Sequence, residues 1–402
     1  MAAIKWIGTA TAVAQVDSLT VGVTIEIGDI FNITVTGRDG ATTVITYTAA
    51  ATTIADVTAG LVAAWNISTN ALCTGVTATD NNPIVTLTAD TAGTGFSVAV
   101  ETTEAGGGAS NAQTFVRTSA TPNAGPSDWS TASNWSTGSV PTGAHDVYVE
   151  GATIYYGLDQ SAIDVLDSLN ITQSQIGVNP ASGRAPNYLQ TKATIVSIGA
   201  YTGPSAPTQS SPINIDTGAT ESTINIYSTG SNTTMPGVRI KAASAATKIN
   251  VNKGTVGVAN IDGETSTVGV ISVSYDTNVQ TDANAYIGAG VTLTTLTKTG
   301  GIAVLGCEAG TVTNTAGALE TVGSGGITTA LNVKGGTVTP NSTGTILLAT
   351  LTGGTTDFSK SSVARTATTI KLEKGATLIY DPDVLITTND IASDSKVTLS
   401  AS

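Results

Sequence analysis

The sequence has few charged residues, few aromatic residues and almost no cysteine. Of its 402 residues only 11% are charged and 4% aromatic, whereas threonine recurs throughout and glycine occurs 44 times. This share of charge is too low for a disordered polyelectrolyte, and the many β-formers disfavour a helical protein. We therefore expect a mainly β protein, long enough for two or three domains.

Basic residues are scarce, since 16 lysines and arginines face 29 acidic residues for a net charge of −13. No Lys/Arg cluster occurs, which argues against nucleic-acid binding through a charged surface. No apolar run approaches the ~20 residues that span a membrane. The N-terminus carries one lysine, Lys5, and is then broken by threonines, so we identify no secretory signal. The sequence thus predicts synthesis in a cytoplasm, with no nucleic-acid or membrane partner.

The residues that usually carry catalysis are thinly spread. Cys73 and Cys307 lie far apart in the sequence and are predicted to be free thiols. With the single histidine, His145, they offer no ligand spacing for zinc. No serine or cysteine near His145 in the sequence indicates a catalytic triad. The sequence also lacks a glycine-rich loop followed by Lys-Ser/Thr, which is the motif of a phosphate-binding loop. We expect neither an enzyme nor a bound cofactor.

Short apolar segments, which we call pulses, recur over residues 213–351. Each places two aliphatic residues at i and i+2, so one face of a short strand is apolar. Such strands cannot bury a face alone, but they can when successive coils stack into a solenoid. The clearest pulses are Ile213-Asn214-Ile215, Ile224-Asn225-Ile226, Val238-Arg239-Ile240 and Ile249-Asn250-Val251.

These pulses predict a β-helix of the right-handed type over residues 128–385, with irregular coils of roughly 20–25 residues. The alternative is a sandwich of β-hairpins. The pulses are shorter than typical sandwich strands, and Asn-Gly hairpin turns are absent from the pulse region, so the β-helix is favoured. Residues 386–402 are predicted to form a polar C-terminal tail.

A different pattern precedes the pulses. Apolar residues alternate over residues 11–48, with a tight turn predicted at Asp39-Gly40. Thr52 or Thr53 can cap a helix whose apolar positions run from Ile54 to Trp65. Strands then resume, so residues 1–104 are predicted to be a small α+β domain with a helix on a sheet. The glycine-rich stretch 105–127 is predicted to be a flexible linker.

Three segments of this domain resemble a known structural unit. They are Gly37 to Val44, Thr53-Ile54-Ala55-Asp56 and Leu61-Val62-Ala63-Ala64-Trp65-Asn66. Together they resemble a small domain that recurs in virion proteins of tailed bacteriophages. The resemblance is confined to the N-terminal domain. It implies a structural, protein-docking role and brings no catalytic residues with it.

Two tryptophans, Trp129 and Trp135, stand where the predicted β-helix begins. Followed by Val140-Pro141 and the strand Asp146 to Val149, they resemble the first segment of many bacterial and viral β-helix proteins. The open end of a solenoid exposes apolar core and unpaired strand edges, and large aromatic side chains cover both. We therefore interpret residues 128–150 as a cap. The alternative is that Trp129 and Trp135 form a platform for a glycan.

Two functional hypotheses follow. In the first, the protein is a capsid decoration or cement protein that docks by its N-terminal domain and projects the β-helix from the virion. In the second, it is a tail fibre or spike that binds a receptor or glycan. Aromatic residues are spread along the chain and are not concentrated at a tip, which favours the first. The expected partners are the major capsid protein, or another virion protein, and further copies of the chain.

The expected oligomer is a homotrimer. Charges are sparse over intervals such as Asp282 to Lys298, where a monomeric rod would normally carry more charge to stay soluble. Small side chains let rods approach closely, and a three-fold arrangement closes without a free face. The virion resemblance also implies trimeric β-helix rods.

Overall fold

The computed structural model describes residues 2–38, 40–105, 113–178, 187–199, 212–229, 236–274, 283–359, 365–380, 384–392 and 395–399. The chain begins with a short strand, β1 (Ala2–Lys5), which belongs to the large C-terminal body and not to the N-terminal domain. That domain follows directly, and the body is a β-solenoid.

The N-terminal domain contains two antiparallel sheets and one helix. Its elements are β2 (Val16–Val21), β3 (Ile30–Thr36), β4 (Thr42–Thr48), α1 (Ile54–Asn66), β5 (Val76–Asn81), β6 (Ile84–Ala89), β7 (Ser97–Thr103) and β8 (Phe115–Thr121). The sheet orders are β4-β3-β7 and β5-β6-β2-β8. The hairpin of β3 and β4 confirms the turn predicted near residue 40.

Helix α1 begins where the sequence predicts. The side chain of Thr53 accepts a hydrogen bond from the backbone N–H of Asp56, which satisfies one donor of the first turn. The helix buries Val57, Leu61 and Trp65 against the sheets. Full burial of such side chains stabilises the domain by about 1.5–3 kcal/mol each. The predicted helix-on-sheet arrangement is confirmed.

The boundary predicted at residue 104 is too early. Residues 106–112 of the predicted linker lie outside the described residues, but Phe115–Thr121 forms strand β8 and pairs with β2. Phe115 packs against Phe31 with ring centroids 5.8 Å apart, and Arg117 Nε lies 2.7 Å from the buried carboxylate of Asp17. These contacts make β8 part of the domain core. The glycine-rich stretch that precedes β8 led the sequence analysis to place the domain boundary before this strand.

The solenoid consists of two parallel sheets, and from β9 onward the strands of most coils alternate between them. The first sheet contains β1, β9 (His145–Glu150), β11 (Leu166–Thr172), β14 (Ala193–Ile198), β16 (Thr223–Ile226), β18 (Ala243–Val251), β20 (Ser266–Val273), β22 (Val291–Lys298), β24 (Glu308–Asn314), β26 (Gly326–Val333), β28 (Ile346–Leu351), β30 (Arg365–Leu372) and β32 (Val384–Ile391). The second sheet contains β10 (Thr153–Ile154), β12 (Gln175–Ile176), β13 (Leu189–Gln190), β15 (Ile213–Asp216), β17 (Val238–Lys241), β19 (Gly254–Val258), β21 (Ala283–Ile287), β23 (Ile302–Leu305), β25 (Ala318–Gly323), β27 (Thr337–Ser342), β29 (Gly354–Asp357), β31 (Ala376–Tyr380) and β33 (Lys396–Leu399).

Each apolar pulse is a strand whose aliphatic residues stack on those of the next coil. Ile224 pairs with Ile249 in the first sheet, and Ile213 pairs with Val238 in the second. All four are fully buried. Since every strand pair within the two sheets is parallel, the predicted β-helix body is confirmed and the hairpin sandwich is wrong.

The predicted C-terminal tail is also part of the solenoid. Strands β32 and β33 pair in parallel with β30 and β31, so the described residues after 384 form one more coil. Ile391 pairs with the buried Leu372, and Val397 pairs with the buried Leu378. Polar residues between these apolar positions obscured the strand pattern in the sequence.

A charged side chain lies inside the solenoid core. Lys298 is fully buried, and its Nζ donates hydrogen bonds to the carbonyl oxygens of Gly300, Gly301 and Ala316. Asn314 pairs with Lys298 on the next coil and donates to the carbonyl of Gly335 at 2.7 Å. Burying an ammonium group is costly unless such partners compensate it, so these carbonyls are what permit a lysine here.

Candidate functional site

Three tryptophans cover the N-terminal end of the solenoid. Trp129 and Trp135 are only 0% and 1% exposed, and their rings pack edge to face with centroids 4.7 Å apart. Trp6, next to β1, packs edge to face on Trp135 at 4.9 Å. The indole N–H of Trp135 donates to the carbonyl oxygen of Trp129 at 2.9 Å. The cluster continues the apolar core of the solenoid.

This geometry leaves Trp129 and Trp135 no open ring face on which a sugar could stack. Both rings occupy the place that a preceding coil would fill, which is the position of a cap. Trp6 is the member that sequence reasoning missed. Its signal was weak, because the strand that carries it to the solenoid, β1, contains only Ala2–Lys5.

A buried asparagine joins the N-terminal domain to the cap. Asn134 is fully buried, and its side chain donates to the carbonyls of Gly125 and Asp128 at 2.8 Å each. Its side-chain oxygen accepts from the N–H of Ala10 at 2.9 Å, and its own carbonyl accepts from the N–H of Ile7 at 2.7 Å. One side chain therefore connects both chain segments that run between the two parts of the molecule.

A cleft of about 670 Å³ lies between the N-terminal domain and the first coils of the solenoid. We call it the junction cleft. Its wall on the domain side includes Gln15, Thr36, Arg38 and Phe96. Its wall on the solenoid side includes Tyr155, Tyr156, Asp159, Tyr188, Asp216 and Lys241. Residues distant in sequence meet here, so no local motif marked the cleft.

The aromatic part of the junction cleft is bordered by two cations. The guanidinium of Arg38 lies 4.8 Å from the ring centre of Tyr155 and 5.9 Å from that of Tyr156. The ammonium of Lys241 lies 5.2 Å from the ring centre of Tyr188. Cations at such distances are attracted to the ring faces. The adjacent pair Tyr155-Tyr156 is the one sequence feature that could have drawn attention to this place.

Tyr188 is held firmly in the wall of the junction cleft. It is buried, and its hydroxyl donates to Glu264 Oε1 at 2.8 Å. Burial and the neighbouring Glu264 both raise the pKa of Tyr188, because each disfavours the phenolate. Burial also lowers the pKa of the nearby Arg239 guanidinium. Tyr188 is therefore protonated, and its hydrogen bond to Glu264 fixes the position of its ring.

Three carboxylates line the junction cleft in different settings. Asp128 is buried and accepts a hydrogen bond from the N–H of Ser130 at 2.8 Å; burial nonetheless raises the pKa of its carboxyl group. Hydrogen bonds from Ser161 lower the pKa of the exposed Asp159. Asp216 Oδ2 lies 3.7 Å from Lys241 Nζ. The cleft therefore mixes charges of both signs with aromatic surface.

Neither a metal-holding cluster nor a membrane-spanning helix occurs in the described part of the chain. No group of three or more His, Cys, Asp or Glu side chains is placed there to hold a metal ion. None of its helices has the length and apolarity needed to cross a membrane. Cys73 and Cys307 are buried free thiols, as predicted.

Comparisons of the chain with protein families, with curated proteins and with solved structures found no match. The geometry of the solenoid, the cap and the junction cleft is therefore the basis for assigning a function.

Proposed function

We propose that the chain is a structural protein of a virus particle, a decoration protein that docks on the capsid by its N-terminal domain and carries the solenoid as a rigid rod. The domain resemblance to phage virion proteins supports this proposal. So does the composition of the rod, which is poor in charge and in residues of catalytic type.

The observation that carries the proposal is the rigid connection between the two parts. The N-terminal domain is inserted between β1 and the rest of the solenoid, so two chain segments cross the junction. Backbone bridges join these segments at Trp6–Trp135 and Val13–Ala124, and Asn134 adds the hydrogen bonds described above. A doubly connected joint fixes the direction of the rod relative to the docking domain, as a projecting appendage requires.

The N-terminal domain offers apolar side chains for docking. Val23 and Ile27 are exposed in the loop between β2 and β3, and Ile67 is exposed at the end of α1. Single exposed apolar residues are common on any protein, so substitutions at these positions are needed to test whether they contact the capsid. At the far end of the solenoid, Leu385 is exposed to a similar degree and provides a matched control.

The test uses particles purified from cells that produce the chain. We expect mass spectrometry to detect the protein in washed particles. After its removal with mild denaturant, added wild-type protein should bind the particles again. A Val23→Asp/Ile27→Asp variant should bind at least tenfold more weakly, because each charge would be buried unpaired in the interface.

The control variant Leu385→Asp should bind like the wild type. Absence of the protein from washed particles would refute the virion role. Full binding by the Val23→Asp/Ile27→Asp variant, together with loss of binding by Leu385→Asp, would refute docking through the N-terminal domain.

A further inference from the structure

We propose that the junction cleft binds a neutral oligosaccharide. This inference goes beyond the structural role, because it concerns a ligand site and does not depend on what the N-terminal domain docks to. It also places the site away from the buried Trp129 and Trp135.

The shape and lining of the junction cleft fit a small ligand. Its volume of about 670 Å³ lies within the range of roughly 300–1,000 Å³ that is usual for ligand pockets. Tyr155 and Tyr156 contribute half-buried aromatic surface, and Tyr188 is held in place by Glu264. The exposed parts of the Tyr155 and Tyr156 rings can pack against the apolar C–H face of a sugar.

The polar groups suit a ligand with many hydroxyls. A hydroxyl group both donates and accepts hydrogen bonds, so it needs acceptors and donors within one site. Asp159 and Asp216 supply acceptors, and Arg38 and Lys241 supply donors. Asn123 lines the same cleft, and its side-chain amide donates a hydrogen bond to Asp128 Oδ2 at 3.4 Å.

The charges favour a neutral ligand over an ionic one. Three carboxylates and two cations line the junction cleft, so neither an anion nor a cation meets a wall of a single opposite charge. The ion pair of Asp216 and Lys241 further offsets their charges. An anionic sugar would face the carboxylates of Asp128 and Asp159 without a dedicated counter-charge for each.

The backbone geometry favours a sugar over an extended peptide. Gln190, Asp216 and Lys241 are the last residues of three strands that pair in register, β13, β15 and β17. The cleft wall at this point is a row of strand ends and not a free strand edge. Peptides that bind by strand addition need such an edge for their backbone hydrogen bonds.

The test is isothermal titration calorimetry of the full chain. The probes are three neutral sugars (maltotetraose, cellotetraose and chitotetraose), the anionic tetragalacturonate and a neutral hexapeptide. We expect at least one neutral sugar to bind with a dissociation constant on the order of 1 mM or below. We expect Tyr155→Ser and Asp159→Asn each to weaken that binding by about tenfold.

The matched control is Tyr148→Ser, which removes a half-exposed tyrosine of β9 that does not line the cleft. It should leave the affinity unchanged, and melting temperatures should verify that all three variants are folded. The proposal is wrong if no neutral sugar binds at ~10 mM, if only tetragalacturonate or the peptide binds, or if the cleft variants bind as well as Tyr148→Ser does.

The two proposals fail separately. The Val23→Asp/Ile27→Asp variant should still bind the sugar, and Tyr155→Ser should still bind particles. Wild-type protein that binds particles but no neutral sugar would refute the sugar site alone, and wild-type protein that binds a neutral sugar but is absent from washed particles would refute the virion role alone.

Discussion

At the scale of single residues, the tryptophans have the largest expected effect on stability. Trp135→Ala should lower the free energy of unfolding by about 3–5 kcal/mol, because it leaves a cavity in the cap and removes the hydrogen bond to Trp129. Urea denaturation monitored by circular dichroism measures this loss. The exposed-site variant Tyr148→Ala should change stability by only about 0.5 kcal/mol. Equal stability of Trp135→Ala and wild type would contradict a capping role.

Asp128 gives the stability a defined pH dependence. Burial raises the pKa of its carboxyl group above the ordinary value of 3.8. The folded state then holds the proton more tightly than the unfolded state, so this group's contribution is full below pH 3.8 and is lost as the pH rises through the folded-state pKa. Asp128→Asn removes that ionisation.

Denaturation of wild type and Asp128→Asn at several pH values measures the effect. The stability of the wild type relative to the variant should decline from pH 3.8 towards neutral pH. A relative stability that rises over this range would mean that the carboxylate is stabilised in the folded state, contrary to its burial.

Sequence reasoning located some important residues and missed others for a physical reason. Trp129 and Trp135 were identified because a solenoid end needs large apolar side chains. Asn134 and Lys298 were not, because polar residues are assigned to the surface unless their buried partners are known. Those partners are backbone carbonyls from other coils or segments, which no local pattern reveals.

At the scale of elements, the predicted solenoid strands were accurate where apolar residues alternate, as at Ile213–Asp216 and Thr223–Ile226. The two strands that tie the domains together were missed. Strand β1 is too short for a periodic pattern, and β8 follows a glycine-rich stretch and has mostly exposed side chains. Their positions depend on distant pairing with β9 and β2 and not on local sequence.

The pairing of β1 with β9 and of β2 with β8 leads to a prediction about cleavage. A thrombin site inserted within residues 106–112 would separate β1 from its partner β9, and β2 from its partner β8, into different fragments. After cleavage the two fragments should still elute together in native buffer and separate only in denaturant. Size-exclusion chromatography measures this, with the uncut protein as control. Fragments that separate in native buffer would support the independent modules expected from the sequence.

At the scale of the whole molecule, the surface of the rod is the basis for the predicted assembly state. Outward residues of the first sheet are small in its central coils, for example Thr297 and Thr313, which pair in register. Such a surface lets neighbouring rods approach closely, and the homotrimer remains our prediction. Light scattering over a range of concentrations should give about three times the chain mass of 40.1 kDa. A mass near 40.1 kDa at every concentration would contradict it.

The orientation of the rod on the particle tests the proposed function most directly. Val44→Cys and Leu385→Cys place labels on exposed positions of the N-terminal domain and of the last described coil, which are 51% and 64% exposed. Val44 is not among the side chains proposed for docking. The native thiols should not compete, because both are buried and burial raises the pKa of Cys307 to about 12.

Gold-labelled variants bound to stripped particles would be imaged by electron cryomicroscopy. We predict the Val44→Cys label close to the surface of the shell. The Leu385→Cys label should lie farther out by on the order of 50 Å, as expected for coils stacked at about 4.8 Å. Labels at equal distance from the shell, or a Leu385→Cys label that lies nearer to it, would contradict a rod that docks by its N-terminal domain.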